Sequence, residues 1–317
     1  MTIPTAPGEA LGHEDAALVA LGRALISGGY RFTTVTPETH RRVLARRASP
    51  IAADLADIFG WSCPFDPMLP PPEMLALMDR AGILQPEAGL LRARIRCSTL
   101  GNQLFVHSAY PTTAADAVFF GPDTYRFVRA LLPLVPVDTA RIVDIGAGSG
   151  AGGLAVAAWL GNGAAVVLGD INDAALRFAA VNAAINGLAN VACRHSDVLD
   201  GIEGTADLII ANPPYLVDAG RRRYRHGGGD LGAALSVRIA EQAAARLNPG
   251  GRLVLYTGSA IVGGHDAFRA EMVARLAGRN WHYEEIDPDV FGEELETAAY
   301  GRADRIAAVL MVVTQER

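Results

Sequence analysis

From residue 141 onward, short apolar runs alternate with stretches whose apolar residues recur at helical spacing. RIVDIG (141–146), AAVVLGDI (164–171), VACRHSD (191–197), ADLIIAN (206–212) and GRLVLYTG (251–258) read as largely buried strands. Helical stretches, among them DAALRFAAVNAAING and LGAALSVRIAEQAAARL, separate these five. Strands that alternate with helices need crossover connections, so the pattern predicts a parallel sheet with helices on both faces, a doubly wound α/β fold. WHYEEI (281–286) and RIAAVLMVV (305–313) bring the strands to seven. The segment joining them, DPDVFGEELETAAYG, carries no long helical pattern, which predicts a terminal hairpin with an antiparallel strand.

Before that region the periodicity is helical. HEDAALVALGRALISGG, PETHRRVLARR, IAADLADIFGW and PPEMLALMDRAGIL each start near a Pro or an acidic residue, as helix N-termini prefer. GLLRARIRCSTLGNQLFVHS (89–108) changes character around Gly101-Asn102 and predicts a β-hairpin. The expected organisation is a helical N-terminal domain at 1–88 for substrate recognition or dimerisation, a hairpin linker at 89–117, and an α/β domain at 118–317. Helices followed by a hairpin also fit a winged-helix-like unit, but the charge of the chain favours a lid or dimerisation module.

That charge is −6, which excludes a protein coated in positive charge for non-specific nucleic-acid binding. Cys63, Cys97 and Cys193 are scattered, without CxxC or His-linked spacing, so neither a disulfide framework nor a metal site is expected. The sequence MTIPTAPGEALGHEDAA lacks a positive region followed by an apolar stretch, and no apolar run reaches the ~18–20 residues that cross a bilayer. A cytoplasmic protein with no membrane partner is the expectation.

The candidate chemistry begins at VDIGAGSGAGG (143–153), between the first strand of the α/β region and its helix. Gly146, Gly148 and Gly150 let the backbone turn tightly and approach a ligand, and the helix behind them offers a partly positive end. Gly146, Gly148 and Ala151 also satisfy a dinucleotide fingerprint. Asp144 weighs against that reading, because an anion there repels a pyrophosphate and suits a ligand with a positive amino-acid end. Asp170, after the second strand, can accept from ribose hydroxyls, and Asp197, after the third, from an adenine amino group. The alternative for both acids is a turn or N-cap role. Pro213 and Pro214, following LIIAN, end the fourth strand, since proline cannot donate to a ladder.

Together these residues, Asp144-x-Gly146-x-Gly148-x-Gly150, Asp170, Asp197 and Asn212-Pro213-Pro214-Tyr215, resemble the class I S-adenosylmethionine-dependent methyltransferases, in the amino-group branch. The resemblance implies a Rossmann-like, seven-stranded, mostly parallel sheet with S-adenosyl-L-methionine as cofactor. It implies that Asn212, which also borders the cofactor, and the Pro213 carbonyl accept hydrogen bonds from a substrate NH2, and that Pro214 and Tyr215 contact the planar acceptor, with the Tyr215 ring stacking on it. VFFGPDTYRFVRALL (118–132), in which Pro122-Asp123-Thr124 match a Pro-Glu-Thr core, is similar to the protein-(glutamine-N5) methyltransferases of peptide-chain release factors. Thr124 thereby joins the expected cofactor site. HGGGDLGAALSVRIAEQAAARLNPGGRLVL (226–255) extends the resemblance, while Phe120-Gly121 and Tyr256 depart from it, Tyr256 standing where a glutamate is usual. RRRYRH (221–226) lies near the mouth of the site, so Arg221, Arg222 and Arg223 are expected either to meet substrate or to form a solvated loop. A protein glutamine side chain, possibly of a translation factor, is the expected acceptor. The alternatives are ribosomal RNA at guanine N2 or adenine N6, a small molecule, or a nucleoside-binding regulatory module without catalysis.

Overall fold

The computed structural model describes residues 11–161, 163–220 and 222–317. Four helices open it: α1 (His13–Ser27), α2 (Pro37–Ala45), α3 (Leu55–Phe59) and α4 (Pro72–Arg80). Thr36 caps α2 by accepting from the Thr39 N–H, and Asp54 caps α3 by accepting from the Asp57 N–H. Two hairpins follow, β1 (Leu84–Glu87) with β2 (Leu90–Ala93), and β3 (Ile95–Leu100) with β4 (Gln103–Ser108). The second turns at Gly101-Asn102, as expected. The first begins earlier than the sequence pattern indicated, because its short strands alternate too weakly to register as such.

The expected linker at 89–117 is instead built into the packing. Asn182 and Asn186 lie on α7 (Asp173–Ile185) and at its C-terminal cap. Their amides act as a substitute strand for β4. Asn186 accepts from the Leu104 N–H (3.0 Å) and donates to its carbonyl (2.9 Å). Asn182 does the same at Val106, at 2.7 and 3.0 Å. The hairpin edge is thus closed by a helix, which satisfies donors that an open edge leaves exposed. The apolar core of the N-terminal region, with Leu18, Leu25, Ile58, Phe59 and Phe65, also includes Val181 and Ile185 of α7. Gly22 is where α1 crosses α7; a Cβ there would meet Ile185 Cδ1 at 2.5 Å.

After α5 (Pro122–Leu131) come β5 (Arg141–Ile145), α6 (Ala151–Trp159), β6 (Ala165–Asp170), α7, β7 (Val191–His195), β8 (Ala206–Ala211), α8 (Ala234–Ala244) and β9 (Leu247–Val262). A two-residue strand β10 (His265–Asp266), α9 (Ala267–Arg275), β11 (Asn280–Asp287) and β12 (Arg305–Thr314) complete the order. The main sheet runs β11-β12-β9-β8-β5-β6-β7, with β10 paired to β9. Strands β9, β8, β5, β6 and β7 are parallel, whereas β12 is antiparallel to both neighbours. Alternate residues of each central strand face opposite cores. Ile142, Leu208, Ile210 and Val254 enter one, and Val143, Ile145, Ile209 and Leu253 the other. The doubly wound seven-strand expectation holds, with β9 longer than the run that predicted it. No helix among the described residues is long and apolar enough to cross a membrane.

Candidate active site

Strand order reverses at β5, between β6 and β8, so a crevice opens beyond the carboxyl ends of these strands. It holds a cavity of about 190 Å³. The loop from β5 to α6 forms one wall. Gly146, Gly148 and Gly150 have φ of 67°, 56° and 81°, the left-handed region that favours glycine. A Cβ at Gly146 or Gly148 would meet nothing within 4 Å, so conformation rather than crowding dictates those two. Gly152 and Gly153, which the motif reading passed over, serve packing. A Cβ there would strike Phe127 at 2.7 Å or Leu168 at 2.5 Å, so they let α6 lie close on the sheet.

Asp144 is buried beneath this loop, and its Oδ2 accepts from the Gly153 N–H at 2.7 Å. Burial pushes its carboxyl up to about 7, against the opposing pull of that bond. It lines the cavity, poised between its neutral and charged forms. Asp170 accepts from the Gly148 and Asn172 N–H groups, both at 2.9 Å, and burial raises its carboxyl as well. Asp197 lines the cavity with its side chain half exposed, in a two-point ion pair with Arg238 of α8. Thr124 also lines the cavity, and its hydroxyl accepts from the Gly121 N–H (3.3 Å) at the start of α5. A neutral-to-anionic carboxyl, three glycine turns and two further acids make a cradle that fits a cationic nucleoside.

Asn212, Pro213 and Pro214 stand between this cavity and a smaller one of about 80 Å³, lining both. The Asn212 side chain has no hydrogen-bond partner among the described residues. Phe119 and Tyr224 border both spaces too, stacked at 5.7 Å with their planes 8° apart.

Tyr215 has partners that its sequence neighbourhood does not indicate. Its ring is buried where a Cβ on Gly258 would meet it at 2.3 Å, and its hydroxyl donates to Asp123 Oδ2. Tyr256 donates to the other oxygen of Asp123 at 2.9 Å, and Arg126 donates to that same oxygen at 3.0 Å. Tyr215 borders only the smaller cavity. One side of the ring thus packs on Gly258 and the hydroxyl is tied to Asp123, while the residue still lines the smaller cavity. Tyr256, the departure noted at the usual glutamate position, has a physical partner in this buried carboxylate.

Two arginines of the basic run are paired with acids of the protein. Arg221 lies outside the described residues. Arg222 is neutralised by Asp218, and Arg225 by Asp218 and Glu294. Arg222 is thus removed from the expected substrate contacts by its own loop. Arg223 keeps the expected position, lining the cavity and reaching the Ile171 carbonyl at 3.3 Å. Sequence reading gave no role to Phe119, Tyr224, Phe291 or the Asp123 carboxylate, although Asp123 stands in the Pro122-Asp123-Thr124 core and Tyr224 in RRRYRH. Asn172 was missed as well, although an Asn directly after a strand-end Asp is a recognisable turn and cap signal.

Residues 117–267 match the methyltransferase small domain family. The chain is 33% identical over 195 residues to a release factor glutamine methyltransferase of Deinococcus radiodurans, covering 58% of this chain and 66% of that protein. It is 32% identical over 217 residues to a release factor glutamine methyltransferase of Moorella thermoacetica, covering 64% and 74% respectively. A ribosomal RNA small subunit methyltransferase C of Chromohalobacter salexigens is 36% identical over 136 residues, 42% of this chain and 36% of that one. The chain spans just under two thirds of the Deinococcus relative.

Proposed function

The chain belongs to the S-adenosylmethionine-dependent methyltransferase family that includes the release factor glutamine methyltransferases, and from that premise we propose that it methylates the side-chain amide nitrogen of a protein glutamine. The observation that carries this is the uncommitted carboxamide of Asn212 on the wall shared by the two cavities. The larger cavity would hold S-adenosylmethionine, with Asp144 toward its amino end, the glycine turns beneath it, Thr124 beside it and Asp170 toward the ribose. Asp197 is available to the base only in competition with Arg238. When bound, the cofactor supplies an electrophilic methyl carbon, so the protein's task is mainly positioning.

The acceptor amide enters the smaller cavity. Asn212 Oδ1 and the Pro213 carbonyl accept hydrogen bonds from its two N–H groups, which turns the nitrogen lone pair toward the methyl carbon and stabilises the positive charge that develops on nitrogen. The fixed φ of Pro213 and Pro214 holds both acceptors in place without further ordering on binding. No side chain is assigned as a base; the proton can leave after transfer.

Ribosomal RNA is the second reading, favoured by the small-subunit relative and by Arg223 at the cavity. Neutralisation of Arg222 and Arg225 weighs against it, because phosphate affinity rests on uncompensated cations. Purified protein incubated with radiolabelled S-adenosylmethionine and an extract of cells lacking it decides between them. Label that protease removes and nuclease spares is the expected result; the reverse establishes the RNA reading. Asn212→Ala is expected to lose roughly 10²–10³-fold in turnover while calorimetry shows cofactor affinity unchanged. Full turnover in that variant would remove Asn212 from the mechanism.

A further inference from the structure

The connection from β11 to β12, residues 288–304, leaves the sheet edge and packs against the Asn-Pro-Pro-Tyr turn. It is fastened at three points. The Val290 N–H donates to the Ile306 carbonyl (2.8 Å), Glu294 is buried and ion-paired to Arg225, and the Tyr300 hydroxyl accepts from the Val217 N–H (3.0 Å). Between the first two anchors stands Phe291, with φ of 56°. A bulky aromatic residue rarely occupies the left-handed region, and where one persists the surroundings enforce it, commonly at a ligand site. Glycine follows it at 292 and would suit that conformation better. Phe291 nevertheless sets its ring in a T-shaped contact with Tyr215, centroids 5.8 Å apart, and lines the smaller cavity with Tyr215, Asn212, Pro213, Pro214 and Arg225.

We infer that Phe291 is the specificity-determining wall of the acceptor cavity. It faces the planar acceptor together with Tyr215, which lines the same cavity and is fixed there by its bond to Asp123. Its ring narrows the cavity to a flat, unbranched amide side chain and excludes a nucleobase. This rests on the proposed amide acceptor. Asp218, which fixes Arg222 and Arg225 behind the same wall, contributes through those two arginines rather than by touching the acceptor.

Steady-state methylation by wild type, Phe291→Ala, Phe291→Gly and Phe291→Tyr tests it, with a recombinant peptide-chain release factor, adenosine and guanosine as acceptors. The Gly variant relaxes the backbone, so it retains the fold even where the Ala variant loses it. For Phe291→Gly the expected result is a KM for the release factor raised at least tenfold, kcat within about threefold and cofactor affinity unchanged by calorimetry. Measurable methylation of a nucleoside is also expected, together with near wild-type kinetics for Phe291→Tyr. An unchanged KM and no new acceptor for Phe291→Gly overturn the inference while wild-type turnover still upholds the amide reading. If wild type methylates a nucleoside and spares the release factor, the amide reading fails and the inference with it.

Discussion

The Tyr215 hydroxyl donates to Asp123, 92 residues earlier in the chain, and thereby ties the turn after β8 to the first turn of α5. Tyr256 of β9 reaches the other oxygen of the same carboxylate. One buried acid so ties three elements together, and two of them, the start of α5 and the turn after β8, line the acceptor cavity. Burial raises both phenols, and the neighbouring Asp123 raises them further, so they stay protonated and serve as donors.

Removing the Tyr215 hydroxyl therefore leaves a buried carboxylate oxygen short of a donor. Tyr215→Phe is expected to lose ~1–3 kcal/mol of stability and to lower kcat, with cofactor affinity unaltered. Denaturant unfolding and calorimetry check the two halves. Stability and turnover both equal to wild type would show that the Asp123 bond holds nothing in place.

Asp144 gives the cofactor site a pH dependence. A bound ammonium group favours the ionised carboxyl, so binding displaces the proton that Asp144 carries below about pH 7. Affinity for S-adenosylmethionine is expected to fall as pH drops from 7 toward 5, and Asp144→Asn is expected to bind weakly with a flatter profile. Calorimetry in buffers of different ionisation enthalpy measures the released proton directly. For folding the sign is opposite. The folded carboxyl is raised above its usual 3.8, so its contribution is complete below about pH 4 and is lost as pH rises through 7. Unfolding titrations of the cofactor-free protein should show that slope and its absence in Asp144→Asn.

Asn182 joins the N-terminal hairpin to the glycine loop. Its side-chain nitrogen donates to the Val106 carbonyl and also to the Ser149 carbonyl, at 3.0 and 2.9 Å. Asn182→Ala strands these groups in the interior, with a cost of ~1–3 kcal/mol for each buried group left unpaired. Thermal unfolding is expected to show a marked loss. Weaker cofactor binding should accompany it in the fraction that remains folded, because Ser149 belongs to the loop. A variant with wild-type melting temperature and affinity would refute the coupling.

Much of this site was legible in order along the chain. Strand ends carry their signal locally, so the glycine loop, Asp144, Asp170 and the Asn-Pro-Pro turn were readable as strand-end features and do converge on one crevice, while the family resemblance supplied their roles. Roles that depend on distant partners were not. Nothing near Tyr215 reveals that Asp123 will claim its hydroxyl, and nothing within RRRYRH shows that Asp218 and Glu294 will neutralise two of its arginines. The β1–β2 hairpin escaped because four-residue strands leave too short a period. Phe291 escaped because its φ is set by the anchors on either side of it, not by its own type.

The pairing of Asn182 and Asn186 with β4 bears on modularity. Helix α7 belongs by sequence to the α/β half, yet one of its faces completes the interior of the helical half. A recombination event between related chains, or a deliberate graft of a foreign front end, would succeed only if α7 travelled with its docking hairpin. A cut at the point where the chain changes from helix to alternating strand and helix would therefore part β4 from the two asparagines that close its edge.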